Sequence, residues 1–339
     1  MNQARKLALA ALAASAFGAT AQAQAPLTYS SWVPPTHHLT IWQANWAADV
    51  EKATGGRVKF QGLPKAPAAP PGTFDAVRDG LVDLSYVTAS YTPARHILPL
   101  MAELPGAGET AEINSVAYSR IHWKYFQKLG EYKGVKLLAV WTHGPGQMFT
   151  KKQIHSLNDF QNLKIRTGGG ISAEVITALG GSPFFKPAPE SYELLNSGVA
   201  DGVFFPLESI VSFKLDKVIG QGTIFPGGLY SSSFGFFINE DKWNKLARQD
   251  QAIIEKYAGE YAARSNGKSW DAADQLGLNA LKAAGARIVT ADPTMRAEAQ
   301  KRSGPIIEDW IKKASAKGVD AKAILAEFHA ELKKVAAGK

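Results

Sequence analysis

The chain has 339 residues, 45% of them hydrophobic, with a formal net charge of +8 and no cysteine. The absence of cysteine excludes disulfide scaffolds, Cys-ligated zinc or iron–sulfur sites, thiol nucleophiles and lipid anchoring through a modified cysteine. The length predicts two lobes, because single hydrophobic cores stop growing at roughly 250–300 residues.

The first 25 residues are predicted to be a cleaved signal peptide. Arg5 and Lys6 give a positive start, residues 7–17 are apolar, and Ala21–Ala23 or Ala23–Ala25 supplies a cleavage site with small residues. A membrane span is the competing interpretation, but the apolar run is well short of the roughly 20 residues that a helix needs to cross a bilayer. We therefore expect export to the periplasm.

The mature chain begins with a predicted strand, helix and strand. Residues 27–33 are β-prone. Apolar residues at steps of three and four predict a helix from Leu39 to Ala53, with Thr36 available as its cap. Residues 57–63 are predicted to form the second strand, and the proline-rich residues 64–72 a loop.

One sequence pattern then occurs twice. Residues 74–83 match residues 192–201 by class at nearly every position. Each copy predicts a helix closed by a glycine, Gly80 or Gly198, followed by a buried strand. Two similar α/β lobes are the interpretation, and chance similarity of a common helix–glycine–strand unit is the alternative.

The other predicted elements alternate between strands and helices. They are a helix at 113–129, a strand at 135–141, a short helix after the capping box of Ser156 and Asp159, a strand at 163–167, a helix at 171–179, a strand at 230–238 and mostly helix beyond 239. Such alternation is typical of mostly parallel or mixed sheets, whose ligands bind beyond the carboxyl ends of the strands. The lysines of the C-terminal helices alternate with acidic residues, a pattern typical of a solvated face and not of nucleic-acid binding.

Arg166 is the candidate for binding an anion. It ends the predicted strand at 163–167, directly before three glycines and a helix start. A guanidinium there can pair with a carboxylate, and the glycines let a ligand approach backbone N–H groups. The alternative is an arginine paired with a structural acid.

No motif for catalysis, a metal or a nucleotide is present. The glycine run lacks the Lys and Ser or Thr of a phosphate-binding loop, and there is neither a His-Glu-x-x-His nor a Gly-x-Ser-x-Gly motif. His37, His38 and His143 are interpreted as polar loop residues, since the adjacent pair is expected to diverge. We predict no catalytic residue, no metal and no cofactor.

Aromatic residues cluster at predicted strand ends. Any one of them alone is more typical of a core than of a pocket. Together with one cation, they suggest a ligand acid with an apolar or aromatic body. The set is Trp32, Tyr86, Tyr91, Trp141, Phe149, Phe204 and Phe205.

Several segments carry a family resemblance through their order and spacing. They are residues 50–58, 79–84, 104–105, 157–168 and 198–202. The mature chain resembles, over essentially its whole length, the periplasmic substrate-binding subunit of tripartite ATP-independent periplasmic (TRAP) transporters of the dicarboxylate-binding type. The resemblance implies an α/β, two-lobed periplasmic binding protein fold with a mixed sheet in each lobe and a helical C-terminal region. It also implies that Arg166 matches the family arginine that pairs with the ligand carboxylate.

Two departures from the family pattern concern the ligand. The family often has Gln-Glu-Asn-Pro where this chain has residues 203–206, and Phe205 cannot replace the hydrogen bond of that asparagine. The usual glycine-rich segment after the second strand is replaced by the proline-rich residues 64–72. Both changes favour an aromatic or branched monocarboxylate, a hydroxy- or keto-acid, over a C4-dicarboxylate.

The resulting hypothesis is a monomeric periplasmic receptor that delivers an organic acid to the small and large TRAP permease subunits. Lobe I is predicted at 26–149 plus 235–265 and lobe II at 150–234 plus 266–339, with the ligand in the cleft between them. The predicted ligand-binding residues are Arg166, Trp32, His37, Tyr86, Tyr91, Trp141, His143, Gln147, Gly168, Phe204 and Phe205. The alternatives are a binding protein of an ABC-type importer and a periplasmic enzyme that uses Glu208 or His143.

Overall fold

The computed structural model describes residues 25–339, which fold around two mixed β-sheets. The predicted signal peptide falls almost entirely outside this range. The first sheet contains β1 (Leu27–Tyr29), β2 (Phe60–Gly62), β3 (Leu84–Thr88), β4 (Val135–Thr142) and β10 (Ser233–Asn239). The second contains β5 (Gln147–Thr150), β6 (Lys164–Thr167), β7 (Ser182–Phe185), β8 (Gly202–Phe205), β9 (Gln221–Ile224) and β11 (Arg287–Thr290).

Both sheets combine parallel and antiparallel pairs. The first has the order β2-β1-β3-β10-β4, in which β10 runs antiparallel to β3 and β4. The second has the order β11-β9-β5-β8-β6-β7, in which β5 runs antiparallel to β8 and β9. The predicted fold class, with a mixed sheet in each half, is confirmed.

Helices cover the sheets and dominate the C-terminal third. They span His38–Ala53, Thr73–Arg78, Ala111–Ile121, Ile171–Leu179, Ser191–Asn196, Ser209–Ser212, Glu240–Lys245, Arg248–Lys256, Gly259–Ala283, Pro293–Ser315 and Ala321–Ala336. None of the helices found in residues 25–339 is both long and apolar enough to cross a membrane.

The repeated sequence pattern forms one unit in each sheet. Gly80 ends the first short helix with φ +78° and leads into β3, and Gly198 ends the second with φ +74° and leads into β8. Glycine suits both positions because other residues disfavour this left-handed conformation. The interpretation of two similar α/β units is confirmed.

Local details differ from the sequence predictions. The first helix is capped by His37 and not by Thr36, because the His37 Nδ1 accepts a hydrogen bond from the Leu39 N–H. The helix predicted at 113–129 is α-helical only over Ala111–Ile121 and continues as a π-helical turn from His122 to Phe126.

The chain passes from the first sheet to the second within residues 143–146 and returns within residues 225–232. The predicted lobe boundaries follow residues 149 and 234, a few residues after each crossing. β5 therefore begins before the first predicted boundary. The assignment of the remaining segments to lobes stays a prediction.

Candidate functional site

A cavity that is partly open to solvent lies where strand ends of the two sheets meet. Thr88 at the end of β3 and His143 directly after β4 line it from the first sheet. Arg166 on β6 and Phe205 at the end of β8 line it from the second. This is the place expected for ligands of open α/β sheets.

Arg166 is a buried cation in the cavity wall, 2% exposed. Its Nε and Nη2 donate hydrogen bonds of 2.9 and 2.7 Å to the Lys186 carbonyl oxygen, and its guanidinium lies 4.4 Å from the Phe205 ring centroid. Within residues 25–339, no carboxylate lies within 4.0 Å of its nitrogens. The structural ion pair that was the alternative interpretation is therefore not found in this range.

Burial lowers the pKa of Arg166 from its ordinary value, while the nearby Tyr91 and Tyr230 hydroxyls act in the opposite direction. A guanidinium remains charged at neutral pH even so. A buried charge is costly unless it is paired, so this wall of the cavity is suited to an anion.

Glycines after β6 bring the loops of the two sheets close together. Gly169 has φ +113°, and a Cβ there would lie 2.8 Å from the backbone oxygen of Ser90 in the loop after β3. A Cβ on Gly168 would lie 3.0 Å from the Tyr91 ring. Larger residues would collide with these neighbours, so the glycines permit the close approach of the two loops.

The structure brings eight of the eleven predicted ligand-binding residues to the cavity. They are Arg166, Trp32, His37, Tyr91, His143, Gly168, Phe204 and Phe205. A ligand-binding role for each remains a prediction.

The other three predicted residues, Tyr86, Trp141 and Gln147, do not line the cavity. The Tyr86 side chain is buried behind Trp32, and its hydroxyl lies 2.7 Å from the Ser31 hydroxyl. Trp141 packs in the core, 5.0 Å from Trp42 between ring centroids. Gln147 uses its amide to bind the backbone N–H and oxygen of Phe225.

Further cavity residues were not predicted from the sequence. They are Val33, Leu39, Thr88, Ser90, Ser172, Ala188, Pro206, Ser209, Phe213, Tyr230, Ser232, Phe234 and Trp270. Phe213 stacks on Phe205 with centroids 5.6 Å apart, and Trp270 lies 5.7 Å from His143. Eight of the 21 residues that line the cavity are Trp, Tyr or Phe, and they surround one guanidinium.

Comparison with known proteins identifies the family. Residues 29–313 match the model of bacterial extracellular solute-binding protein, family 7. The chain belongs to this family. The match covers most of the sequence, so family membership applies to both sheets and to the cavity between them.

Solved structures of solute-binding proteins share the fold. A TRAP periplasmic solute-binding protein from Bordetella bronchiseptica, with bound (R)-mandelate and (S)-mandelate, is 46% identical with a TM-score of 0.89, covering 92% of this chain and 99% of its own. One from Rhodoferax ferrireducens T118, in complex with copurified benzoate, is 25% identical with a TM-score of 0.86, covering 92% and 98%.

A curated relative from Comamonas testosteroni, named outer membrane transporter protein TsaT, is 28% identical over 98% of both chains. The resemblance to TRAP solute-binding proteins and the periplasmic location are confirmed by the family match and the similar structures. These are transport proteins and not enzymes, and they favour a TRAP receptor over one for an ABC-type importer.

Beside the cavity of this solute-binding protein, His37 and Glu208 form a buried pair. The His37 Nδ1 accepts from the Leu39 N–H, so Nε2 carries the hydrogen and donates to Glu208 Oε1 at 3.1 Å. Glu208 also accepts from the hydroxyls of Ser209 and Ser212. Burial raises the pKa of Glu208 to about 7 and lowers that of His37 to about 3.

His37, His38 and Glu208 also bring three potential metal-ligand atoms within 4.8 Å of one another. The two imidazole rings stack with centroids 4.8 Å apart, so the expectation that they diverge is wrong. The His37 nitrogens and the Glu208 oxygens already have protein hydrogen-bond partners, and the prediction that no metal binds is kept.

Proposed function

We propose that the mature chain binds an aromatic monocarboxylate in the cavity through Arg166 and delivers it to TRAP membrane permease subunits. The observation that carries this proposal is the buried Arg166 guanidinium, which has no carboxylate partner among residues 25–339. A ligand carboxylate would supply the missing charge and accept from the guanidinium nitrogens that the Lys186 oxygen leaves free.

The lining of the cavity supports one carboxylate and an aromatic body. Among the described residues that line it, Arg166 is the sole Arg or Lys. A second carboxylate would therefore be buried without a cation, at a large cost in free energy. The rings of Trp32, Phe205 and Phe213 offer faces and edges to a planar apolar group. The mandelate and benzoate bound by the two similar proteins fit this description.

Isothermal titration calorimetry of the mature chain with benzoate, mandelate and succinate tests the proposal. We expect the aromatic acids to bind and succinate to bind much more weakly. Arg166→Met should weaken binding of the aromatic acids at least about thirtyfold, because losing one member of a buried charge pair costs roughly 2–5 kcal/mol and each 1.4 kcal/mol is a factor of ten.

Arg287→Met is a matched control, because Arg287 is exposed on β11 and its Nη1 donates to Gln153 Oε1. It should bind the acids as the parent does. Circular dichroism and thermal melts check that both variants fold. Unchanged affinity in a folded Arg166→Met protein would contradict the proposed role of Arg166, and failure of every acid to bind the parent would contradict the ligand class.

A further inference from the structure

His143 is held rigidly in the wall of the cavity. It follows β4 and is 5% exposed. Its N–H donates to the Ser232 oxygen at 3.2 Å, and its carbonyl oxygen accepts from the Ser231 hydroxyl at 2.9 Å. A Cβ on the next residue, Gly144, would overlap the Asp274 carboxylate, so a larger residue there would have to displace that side chain. The loop therefore fixes where the His143 ring lies.

The hydrogen bonds of the ring determine its tautomer. The His143 Nδ1 lies 2.5 Å from the Gly144 carbonyl oxygen, which can only accept, so Nδ1 carries the hydrogen. Burial lowers the pKa of His143 to about 4, and the imidazole is neutral at neutral pH. In a neutral imidazole with hydrogen on Nδ1, Nε2 is an acceptor with a free lone pair.

This acceptor has no protein partner. Nε2 of His143 makes no hydrogen bond with residues 25–339. Unlike the two nitrogens of His122, which are fully buried without a partner, it remains accessible, and His143 lines the cavity. Around it stand the rings of Tyr230 and Trp270, with centroids 5.4 and 5.7 Å from the imidazole. An acceptor in such a wall costs free energy unless a ligand or a water molecule donates to it.

We infer that the ligand carries a hydroxyl group and that His143 Nε2 accepts its hydrogen bond. The inference rests on the proposed function, and it narrows the ligand class to hydroxy-substituted aromatic monocarboxylates. Arg166 would bind the carboxylate and His143 the hydroxyl, from opposite sheets. An ammonium group could also donate, but it would place a second cation in a cavity that already holds Arg166.

The test compares acids that differ only in the hydroxyl group. Affinities for mandelate and phenylacetate, and for 3-hydroxybenzoate and benzoate, are measured by calorimetry. In the parent, we expect the hydroxy acid of at least one pair to bind about tenfold more tightly, as for one well-placed hydrogen bond. The pair that shows the preference tells whether the hydroxyl lies beside the carboxylate or on the ring.

Variants of His143 assign the preference to this residue. His143→Phe keeps a planar ring without an acceptor and should reduce the ratio within the pair to about one. His143→Gln places an amide oxygen near the position of Nε2 and should restore part of the ratio. His155→Phe is the matched control, because His155 is exposed and outside the cavity, and it should keep the ratio of the parent.

The outcomes separate this inference from the proposed function. A hydroxyl preference that persists in His143→Phe, or aromatic acids that bind through Arg166 without any hydroxyl preference, would overturn the inference alone. Tighter binding of phenylglycine than of mandelate would also overturn it in favour of an ammonium donor. If His143→Phe does not fold, the parent protein is tested with mandelate and its O-methyl ether, which cannot donate a hydrogen bond. Equal binding of the ether and mandelate overturns the inference, and at least tenfold weaker binding of the ether supports it.

Discussion

The long helix Gly259–Ala283 passes so close to the segment after β8 that one glycine controls the contact. Gly277 faces the backbone of Leu207 and Glu208, where an added Cβ would overlap the Leu207 carbonyl oxygen and lie 3.0 Å from the Glu208 nitrogen. The same helix carries Asp274, whose Oδ1 accepts from the Glu208 N–H at 2.7 Å. Gly277→Ala would therefore push the helix away from this segment.

Two opposing effects determine how much Gly277→Ala changes the free energy of unfolding. Alanine favours a helix interior over glycine by about 1 kcal/mol. Overpacking costs typically 1–3 kcal/mol, and we place this site at about 3 kcal/mol, because the obstacle is backbone that cannot change rotamer. Restoring van der Waals contact needs a shift on the order of 1 Å. The net expectation is a loss of about 2 kcal/mol in the free energy of unfolding.

Urea unfolding followed by tryptophan fluorescence measures this loss, and calorimetry with an aromatic acid measures its effect on the cavity. Binding should weaken as well, because Trp270 lies on the displaced helix and lines the cavity. Leu276→Ala is the control: Leu276 is 62% exposed on the same helix, and surface substitutions change stability by about 0.5 kcal/mol or less. Our reasoning is refuted if Gly277→Ala is as stable as the parent and binds ligand equally well.

Two further predictions concern Glu208 and Phe205. Burial raises the pKa of Glu208 from 4.5 to about 7. Between these pH values the folded protein binds more protons at this site than the unfolded chain does. The contribution of Glu208 to stability is therefore lost as the pH rises through about 7. Urea melts at stepped pH should therefore show Glu208→Gln gaining stability relative to the parent between about pH 4.5 and 7, and a constant difference over this range would contradict the shift. Phe205→Leu removes the ring that lies 4.4 Å from the Arg166 guanidinium and should cost about 1–2 kcal/mol of stability without ligand, whereas no loss in the same melts would show that this contact contributes nothing.

The elements that could be predicted from the sequence are those with local causes. The two helix–glycine–strand units follow from apolar periodicity and from glycines that adopt the left-handed conformation, and both are present. Arg166 could be placed at a strand end because the glycines that follow it mark the turn. Its burial and its lack of a carboxylate partner among the described residues depend on distant segments and could not be predicted.

Aromatic residues at strand ends were harder to assign. A side chain there can point into the cavity, as Phe205 does, or into the core, as Trp141 does, and the sequence pattern is the same for both. Trp270 carried no local indication at all, since it sits in the middle of a long helix that reaches the cavity only through tertiary packing. Tyr230 lies outside any strand and reaches the wall because Gly146 pairs with it in an isolated bridge.

The unpaired charge of Arg166 also suggests why a ligand would favour the arrangement described here. Trp32 and His143 follow strands of the first sheet, Arg166 and Phe205 lie on strands of the second, and all four line one cavity. When the cavity is empty, this arrangement buries a cation without a carboxylate, which costs free energy that an open, hydrated arrangement would avoid. A bound acid removes that cost and adds contacts to both sheets. It therefore shifts the population from the open arrangement to the closed one described here, to the extent that it binds the closed one more tightly. Arg166→Met should therefore close more readily without ligand while it binds acids poorly, a separation that small-angle X-ray scattering of the ligand-free proteins can measure.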